Sequence, residues 1–294
     1  MKSFADTNED LASARARNIR DALAEDIGTG DWTAELVPAG RRVRARVICR
    51  DAAVLCGRDW FDGCVKALDA NAQMTWQFDE GAEMTPGAAV VEMIGDARAL
   101  LSAERCALNF LQLLSATATR TRAHARAIEG ASPNPRGCVV LDTRKTLPGL
   151  RQAQKYAVRI GGGANQRLAL WHGMLIKENH IAAAGGIGAA LSAAIHMNAG
   201  VEIQIEVESL AQLAEALAGG ATSVLLDNFT LPQMREAVAL AGDRALLEVS
   251  GGVALEQLRD IAATGVDRIS VGALTKDVKA VDYSMRILAE APAP

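Results

Sequence analysis

Several residues able to carry chemistry fall at the ends of apolar runs. Arg144 and Lys145 follow Val139-Val140-Leu141, after Asp142 and Thr143; Lys177 follows Met174-Leu175-Ile176; Glu206 ends the alternating stretch Glu202 to Ile205; and Asp227 ends Val224-Leu225-Leu226. Arg167, beyond the glycine run 161–163, adds another cation. Fixed cations gathered in one place bind a multiply charged anion, and guanidinium forks match carboxylates two-to-two where an ammonium cannot. The acids suit a metal-bearing partner or positive charge that develops during a reaction. Two further ends are rich in glycine: Ser250-Gly251-Gly252 and Val271-Gly272-Ala273. Such ends let backbone N–H groups approach a phosphate closely. The composite points to an anionic substrate with a phosphate at one end.

These residues need a frame that brings strand ends together. Strand-like runs occur at 138–142, 172–177, 201–207, 223–227, 245–249 and 267–271, with helical stretches at 150–160, 187–197, 209–218, 232–241 and 254–264 between them. Alternation of this kind implies a parallel sheet with right-handed crossovers. Tight glycine connections and Ala-rich helices favour a barrel, whose C-terminal rim is where such folds hold their chemistry. The first hundred residues differ and read as α+β. A helix covers 10–25, and Val43, Ala45, Val47 and Cys49 alternate with Arg42, Arg44 and Arg46 as in a half-exposed strand. A helix around 58–69 and strands through 73–94 follow. Ser102 reads as the N-cap of a long helix to about residue 128, which places Arg105 in its first turn, where the helix dipole disfavours a cation.

Composition narrows the class. The 294 residues are 50% apolar but only 4% aromatic, and the formal net charge is −4. That balance argues against a nucleic-acid or membrane surface. Five cysteines with no C-x-x-C pair read as free thiols of a reducing cytoplasm. No signal peptide is visible, and the first ten residues and the final APAP read as frayed. The uncharged stretch from Asn179 to Val201 reads as a buried helix, and Gly161-Gly162-Gly163 as a turn. His172 reads as a core histidine. His180 reads either as a helix cap or as support for Lys177.

The segments ALAEDIGTGDWT, SAERCALNFLQLLSATAT, VVLDTRKTLPGLRQAQKYAVRIGGGANQR, LIKENHI, IEVES, SVLLDNF, EVSGGV and VDRISVGALT occur in this order between about residues 22 and 275. Together they resemble the quinolinate phosphoribosyltransferases. The resemblance implies an N-terminal α/β (α+β) sandwich over residues 1–116 and an incomplete seven-stranded α/β barrel over 117–275. A C-terminal helix, 276–294, is expected to pack on the sandwich. It also implies a homodimer in which the sandwich of one subunit caps the barrel rim of the other. The implied reaction joins quinolinate to 5-phosphoribosyl 1-pyrophosphate, with Mg2+, giving nicotinate mononucleotide, pyrophosphate and CO2 for NAD biosynthesis.

Residue by residue, the resemblance assigns quinolinate to Arg105 from the partner subunit and to Arg144, Arg167 and Lys177, with Gln166 as a donor to a carboxylate and Thr143 among the substrate-binding residues. Lys145 and Lys177 would also face the ribose-bound phosphates. Glu206 and Asp227 would meet the ribose hydroxyls and Mg2+, the metal mainly through substrate and water. Ser250, Gly251, Gly252, Val271, Gly272 and Ala273 would cradle the 5-phosphate. Lys145, Lys177, Glu206 and Asp227 form the expected catalytic set. One departure stands out: many family members have His where this chain has Gln166, which keeps a donor but carries no charge. Rival readings are a Schiff-base aldolase acting through Lys177, a non-catalytic barrel that binds phosphate or another oxyanion, and, within the family, a nicotinate-using enzyme.

Overall fold

A computed structural model describes residues 9–290, so the terminal residues expected to fray lie largely outside the described residues. In chain order the first elements are α1 (Leu11–Ile27), β1 (Arg42–Cys49), β2 (Ala53–Val54), α2 (Arg58–Leu68), β3 (Gln73–Trp76), β4 (Glu83–Met84), β5 (Ala89–Asp96) and α3 (Ala97–Ala127). Then come β6 (Val139–Leu141), α4 (Arg151–Ile160), β7 (Gly173–Ile176), α5 (Glu178–Ala184), α6 (Ile187–Met197), β8 (Glu202–Val207) and α7 (Leu210–Ala218). The remainder are β9 (Ser223–Asp227), α8 (Leu231–Ala241), β10 (Leu246–Ser250), α9 (Leu258–Ala262), β11 (Arg268–Ser270), α10 (Ala273–Lys276) and β12 (Tyr283–Glu290). Contacts group residues 1–120, 146–161 and 276–294 into one compact unit and 121–145 with 162–275 into another. The stretch 146–161, which holds α4, thus groups with the first unit rather than with the strands that flank it in sequence.

The first unit is built on an antiparallel sheet ordered β12-β1-β5-β3. Along β1, Val43, Ala45, Val47 and Cys49 are buried, as alternation requires. The intervening arginines are held by acids: Arg46 donates to Glu92 on β5, its register partner, at 2.6 Å, and Arg44 reaches the same carboxylate at 3.4 Å. The amphipathic α2 buries Trp60, Phe61, Cys64 and Val65 in the core. Two expectations are corrected here. The long helix starts at Ala97, not at Ser102, because Asp96 accepts the Ala99 N–H at 3.0 Å and caps it. Ser102 lies inside α3 and donates to Asp31 at 2.8 Å, and Arg105 is well past the first turn, so its expected conflict with the dipole does not arise. The C-terminal segment is a strand, not a helix. β12 completes the free edge of β1, pairing Tyr283 with Cys49 and Met285 with Val47. Buried Tyr283 hydrogen-bonds the Ser115 hydroxyl at 2.8 Å and anchors that edge.

The second unit is a six-stranded parallel sheet ordered β6-β11-β10-β9-β8-β7. The expected seventh strand is reduced to a bridge. Ala164 donates to Val140 O at 2.9 Å and accepts from the Asp142 N–H at 3.2 Å. The glycine run before it and polar Asn165-Gln166 after it leave too short a segment for a ladder. Gly161 closes α4 by donating to Ala157 O at 2.9 Å, the turn role expected of the run. The stretch from Asn179 is two helices, α5 and α6, bent by 91° at Gly185-Gly186, and α5 buries none of its residues. Among the described residues no single helix is long and apolar enough to cross a membrane. The cysteines are free thiols; burial pushes Cys64 and Cys138 up to about 12, which suits packing rather than nucleophilic chemistry.

Candidate active site

The register of the parallel strands decides which residues share a face. Leu175 on β7 pairs with Gln204 on β8, Glu206 with Leu225 on β9, Leu225 with Glu248 on β10, and Asp227 with Ser250. In-register residues of parallel strands point the same way, as do residues two apart along one strand. Gln204, Glu206, Asp227, Glu248 and Ser250 therefore lie on one face, with Lys177 following the inward Leu175. The opposite face carries Ile205, Val224, Leu226, Leu247 and Val249, all buried. In register, Glu206 is level with Leu225 and Glu248, and Asp227 with Ser250; Gln204 lies two residues before Glu206 along β8, as Glu248 lies two before Ser250 along β10.

Lys177 Nζ donates to Glu206 Oε2 at 2.9 Å. The Lys177 backbone N–H donates to His180 Nδ1 at 3.0 Å, so His180 caps the start of α5 and fixes the chain that carries Lys177. Asp227 accepts from Asn228 Nδ2 at 2.8 Å, with Asn228 in a left-handed conformation (φ +56°). Gly251 lies against Asn228: a Cβ there would sit 2.3 Å from Asn228 Oδ1, and its φ of +109° already disfavours a side chain. Gly251→Ala should therefore destabilise the fold by about 1–3 kcal/mol, read as a fall in melting temperature. Lys145 runs over Gly272, where a Cβ would meet its Cδ at 2.9 Å. The Thr275 hydroxyl donates to Lys145 O at 2.9 Å and ties that loop to α10.

Fully buried Asp142 joins these loops to the segment after the glycine run. It accepts from Asn165 Nδ2 at 2.6 Å and from the Gln166 N–H at 3.0 Å. Arg167 follows and donates to Gly173 O at 2.9 Å. Its pKa is lowered first by desolvation and then by the like charge of Arg144. Two guanidiniums that repel one another in a partly desolvated place suit a site that an anion completes.

A cavity of about 610 Å³ is lined by Gln166, Arg167, Gln204 and residues from the starts of β7, β8 and β11. Lys177, Glu206 and Asp227 do not line it. The expected residues thus divide between the rim of strand ends and this cavity, with Gln166 tied to the rim through Asp142. His172, expected in the core, is exposed at the cavity mouth with its ring edge against Trp171. Arg105 belongs to the first unit, exposed on α3 beside a separate cavity of about 390 Å³ that it shares with Arg17, Asp21, Glu25 and Asp26. Among the described residues no cluster of three or more His, Cys, Asp or Glu side chains could ligate a metal by itself.

Residues 31–115 match the family model described as the quinolinate phosphoribosyl transferase N-terminal domain, and residues 117–286 match that of the C-terminal domain. The chain belongs to the quinolinate phosphoribosyltransferase family. It is 40% identical over 277 residues to a nicotinate-nucleotide pyrophosphorylase [carboxylating] of Mycobacterium leprae, covering 91% of this chain and 95% of that one. It is 35% identical over 287 residues to a Nicotiana tabacum quinolinate phosphoribosyltransferase [decarboxylating], covering 90% and 80%. The solved nicotinate-nucleotide pyrophosphorylase of Francisella tularensis superposes with a TM-score of 0.90 at 42% identity, covering 96% of this chain and 98% of that one. Within this quinolinate phosphoribosyltransferase framework, sequence reasoning missed Gln204, Glu248 and the bracing role of Asp142. The period-two pattern of Glu202-Ile203-Gln204-Ile205-Glu206 carried the signal, since it puts Gln204 on the face of Glu206.

Proposed function

We propose that this chain transfers the phosphoribosyl group of 5-phosphoribosyl 1-pyrophosphate to quinolinate, with loss of CO2, in the cytoplasm. The observation that carries the reading is the ion pair of Lys177 with Glu206 at strand ends whose face also carries Asp227. Arg144 and Arg167 lie close enough to repel. A dicarboxylate relieves that repulsion, and two forks suit two carboxylates better than one. The partner's Arg105 would add a further fork in a homodimer with shared sites.

Lys145 and Lys177 face the phosphates and stabilise the departing pyrophosphate. Thr143 accepts from the Lys145 N–H at 3.1 Å and shapes the substrate-binding loop, and Gln166 reads one of the quinolinate carboxylates. The ends Ser250-Gly251-Gly252 and Val271-Gly272-Ala273 cradle the 5-phosphate through backbone N–H groups. As pyrophosphate leaves, positive charge develops at the anomeric carbon, and Glu206 and Asp227 are the anionic groups placed to stabilise it. The pyridine nitrogen then attacks from the opposite face. Once that nitrogen is quaternised, the bond to the adjacent carboxylate breaks: CO2 departs, the bonding pair stays on the ring carbon beside the cationic nitrogen, and a proton from water takes the place of the lost carboxylate. Glu206 and Asp227, two carboxylates on one face, would hold Mg2+ together with water and substrate oxygens, and the ion would supply positive charge to offset that of the pyrophosphate. The protein's own part is alignment and electrostatics rather than proton transfer.

A Schiff-base aldolase is disfavoured because Lys177 is engaged by a carboxylate instead of sitting in an apolar pocket. Incubation with phosphoribosyl pyrophosphate, Mg2+ and either quinolinate or nicotinate tests the assignment. Quinolinate should release CO2 and yield the mononucleotide, while nicotinate should not turn over. Comparable rates for the two would overturn the decarboxylating reading.

A further inference from the structure

Glu248 is a carboxylate buried to 1% exposure in β10, and no step above uses it. Its Oε2 accepts from Gln204 Nε2 at 2.8 Å, and its Oε1 has no hydrogen-bond partner among the described residues. Gln204 Oε1 in turn accepts from Gln166 Nε2 at 2.9 Å. An ionised carboxylate only accepts hydrogen bonds. Glu248 therefore dictates the sense of both links: Gln204 turns its nitrogen to Glu248 and its oxygen to Gln166, and Gln166 must answer with its nitrogen. We propose that Gln204 and Glu248 are positioning residues that lock the Gln166 side-chain amide in one orientation for reading a substrate carboxylate. This rests on the reading of Gln166 as a quinolinate ligand.

Placement supports the relay. Gln204 lies two residues before Glu206 on β8 and Glu248 two before Ser250 on β10, so each link of the relay sits one inward position below a strand-end residue of its own strand. Gln204 and Gln166 both line the 610 Å³ cavity, so the relay ends at space a ligand can enter. The arrangement is also costly. Burial raises the Glu248 carboxyl above its ordinary pKa; Gln204, Ser270 and Arg268 oppose the rise, and the like charge of Glu202 adds to it. Arg268 is itself paired to Glu202 at 3.0 Å. A neutral side chain of the same shape would avoid the cost of a buried charge, but it would not impose a direction.

That difference supplies the test. In Glu248→Gln both ends of the relay can donate or accept, so the two senses of the Gln166 amide become equally populated. Quinolinate should then bind about twofold more weakly, the penalty when half the molecules are competent. Gln204→Met removes the orienting acceptor altogether, so the Gln166 amide is again unlocked and quinolinate affinity should fall by at least about twofold. Both effects should appear in the Michaelis constant for quinolinate rather than in kcat or the constant for phosphoribosyl pyrophosphate. Neither should add to the effect of Gln166→Ala, because a positioning residue has nothing left to position.

Stability separates this role from a structural one. A carboxyl whose folded pKa is raised contributes stability below its ordinary pKa and loses it as pH rises through the shifted value. Glu248→Gln should therefore melt higher than the unmodified protein at pH 7.5, the gap closing as pH falls below the ordinary glutamate range. A variant that is more stable yet binds quinolinate more weakly supports the relay. Additive effects in the Gln166→Ala background, or losses spread evenly over both substrates, would overturn it. Side-chain amide NMR of Gln166 reads the relay without turnover. The Gln166 NH2 resonances should shift in Glu248→Gln and in Gln204→Met, and unmoved resonances would overturn the relay. Absence of quinolinate turnover in the unmodified enzyme would instead overturn the functional reading.

Discussion

Arg105→Ala and Lys177→Ala enzymes, each nearly inactive alone, should recover about a quarter of the unmodified activity when their subunits are mixed and reassembled. Lys177 belongs to the barrel cluster, at the end of β7 and paired with Glu206. Arg105 is exposed on α3 and borders a cavity that none of the barrel cations lines. If each barrel takes the partner's Arg105, a mixed dimer holds one barrel with its own Lys177 and an intact incoming arginine. Its other barrel lacks both. Random reassembly of equal amounts makes about half the dimers mixed, each with one working site of two, hence the quarter. Each single variant should lose roughly 10²–10³-fold in kcat/KM, within the range for removing one partner of a desolvated charge pair. No recovery, with subunit exchange confirmed by mass, would mean that Arg105 acts within its own subunit or not in the site.

Asp227→Ala should lower kcat by roughly 10²–10³-fold while changing the Michaelis constant for quinolinate little. Asp227 lies on the same face as Glu206, two positions beyond the register partner of Glu206, and its carboxylate is oriented by Asn228. A carboxylate next to the cations of an anion site does not help the ground state of a dianion. Its benefit arises when positive charge develops on the ribose, so its loss should appear in the rate of the chemical step. Steady-state kinetics at saturating phosphoribosyl pyrophosphate separates the two constants. Unchanged turnover with a raised Michaelis constant would show that Asp227 binds substrate and does no more.

Misplaced elements have a common cause. The start of α3 rests in the sequence on a local signal, Ser102 with Glu104 in the turn after it, and the C-terminal helix on the family resemblance. The fold assigned them by what a distant partner needed. The free edge of β1 required a strand, and Asp96 at the end of β5 already supplied the cap. His172 followed the same pattern, since a lone imidazole does not say which side of a strand start it faces.

By itself the sequence determined the alternation of strands and helices after residue 138, the family, and the polar ends where Arg144, Lys145, Lys177, Glu206 and Asp227 lie. These follow from apolar runs and the residues that interrupt them, which are local properties of the chain. Only the tertiary structure decided that six strands pair with the seventh reduced to a bridge, and that Asp142 braces Gln166. It also placed Gln204 and Glu248 on the face of the acids, joined to each other and, through Gln204, to Gln166. Those links connect residues far apart in sequence, and they depend on strand register. A shift of one residue would turn each of these side chains to the opposite face, so no local pattern can specify them.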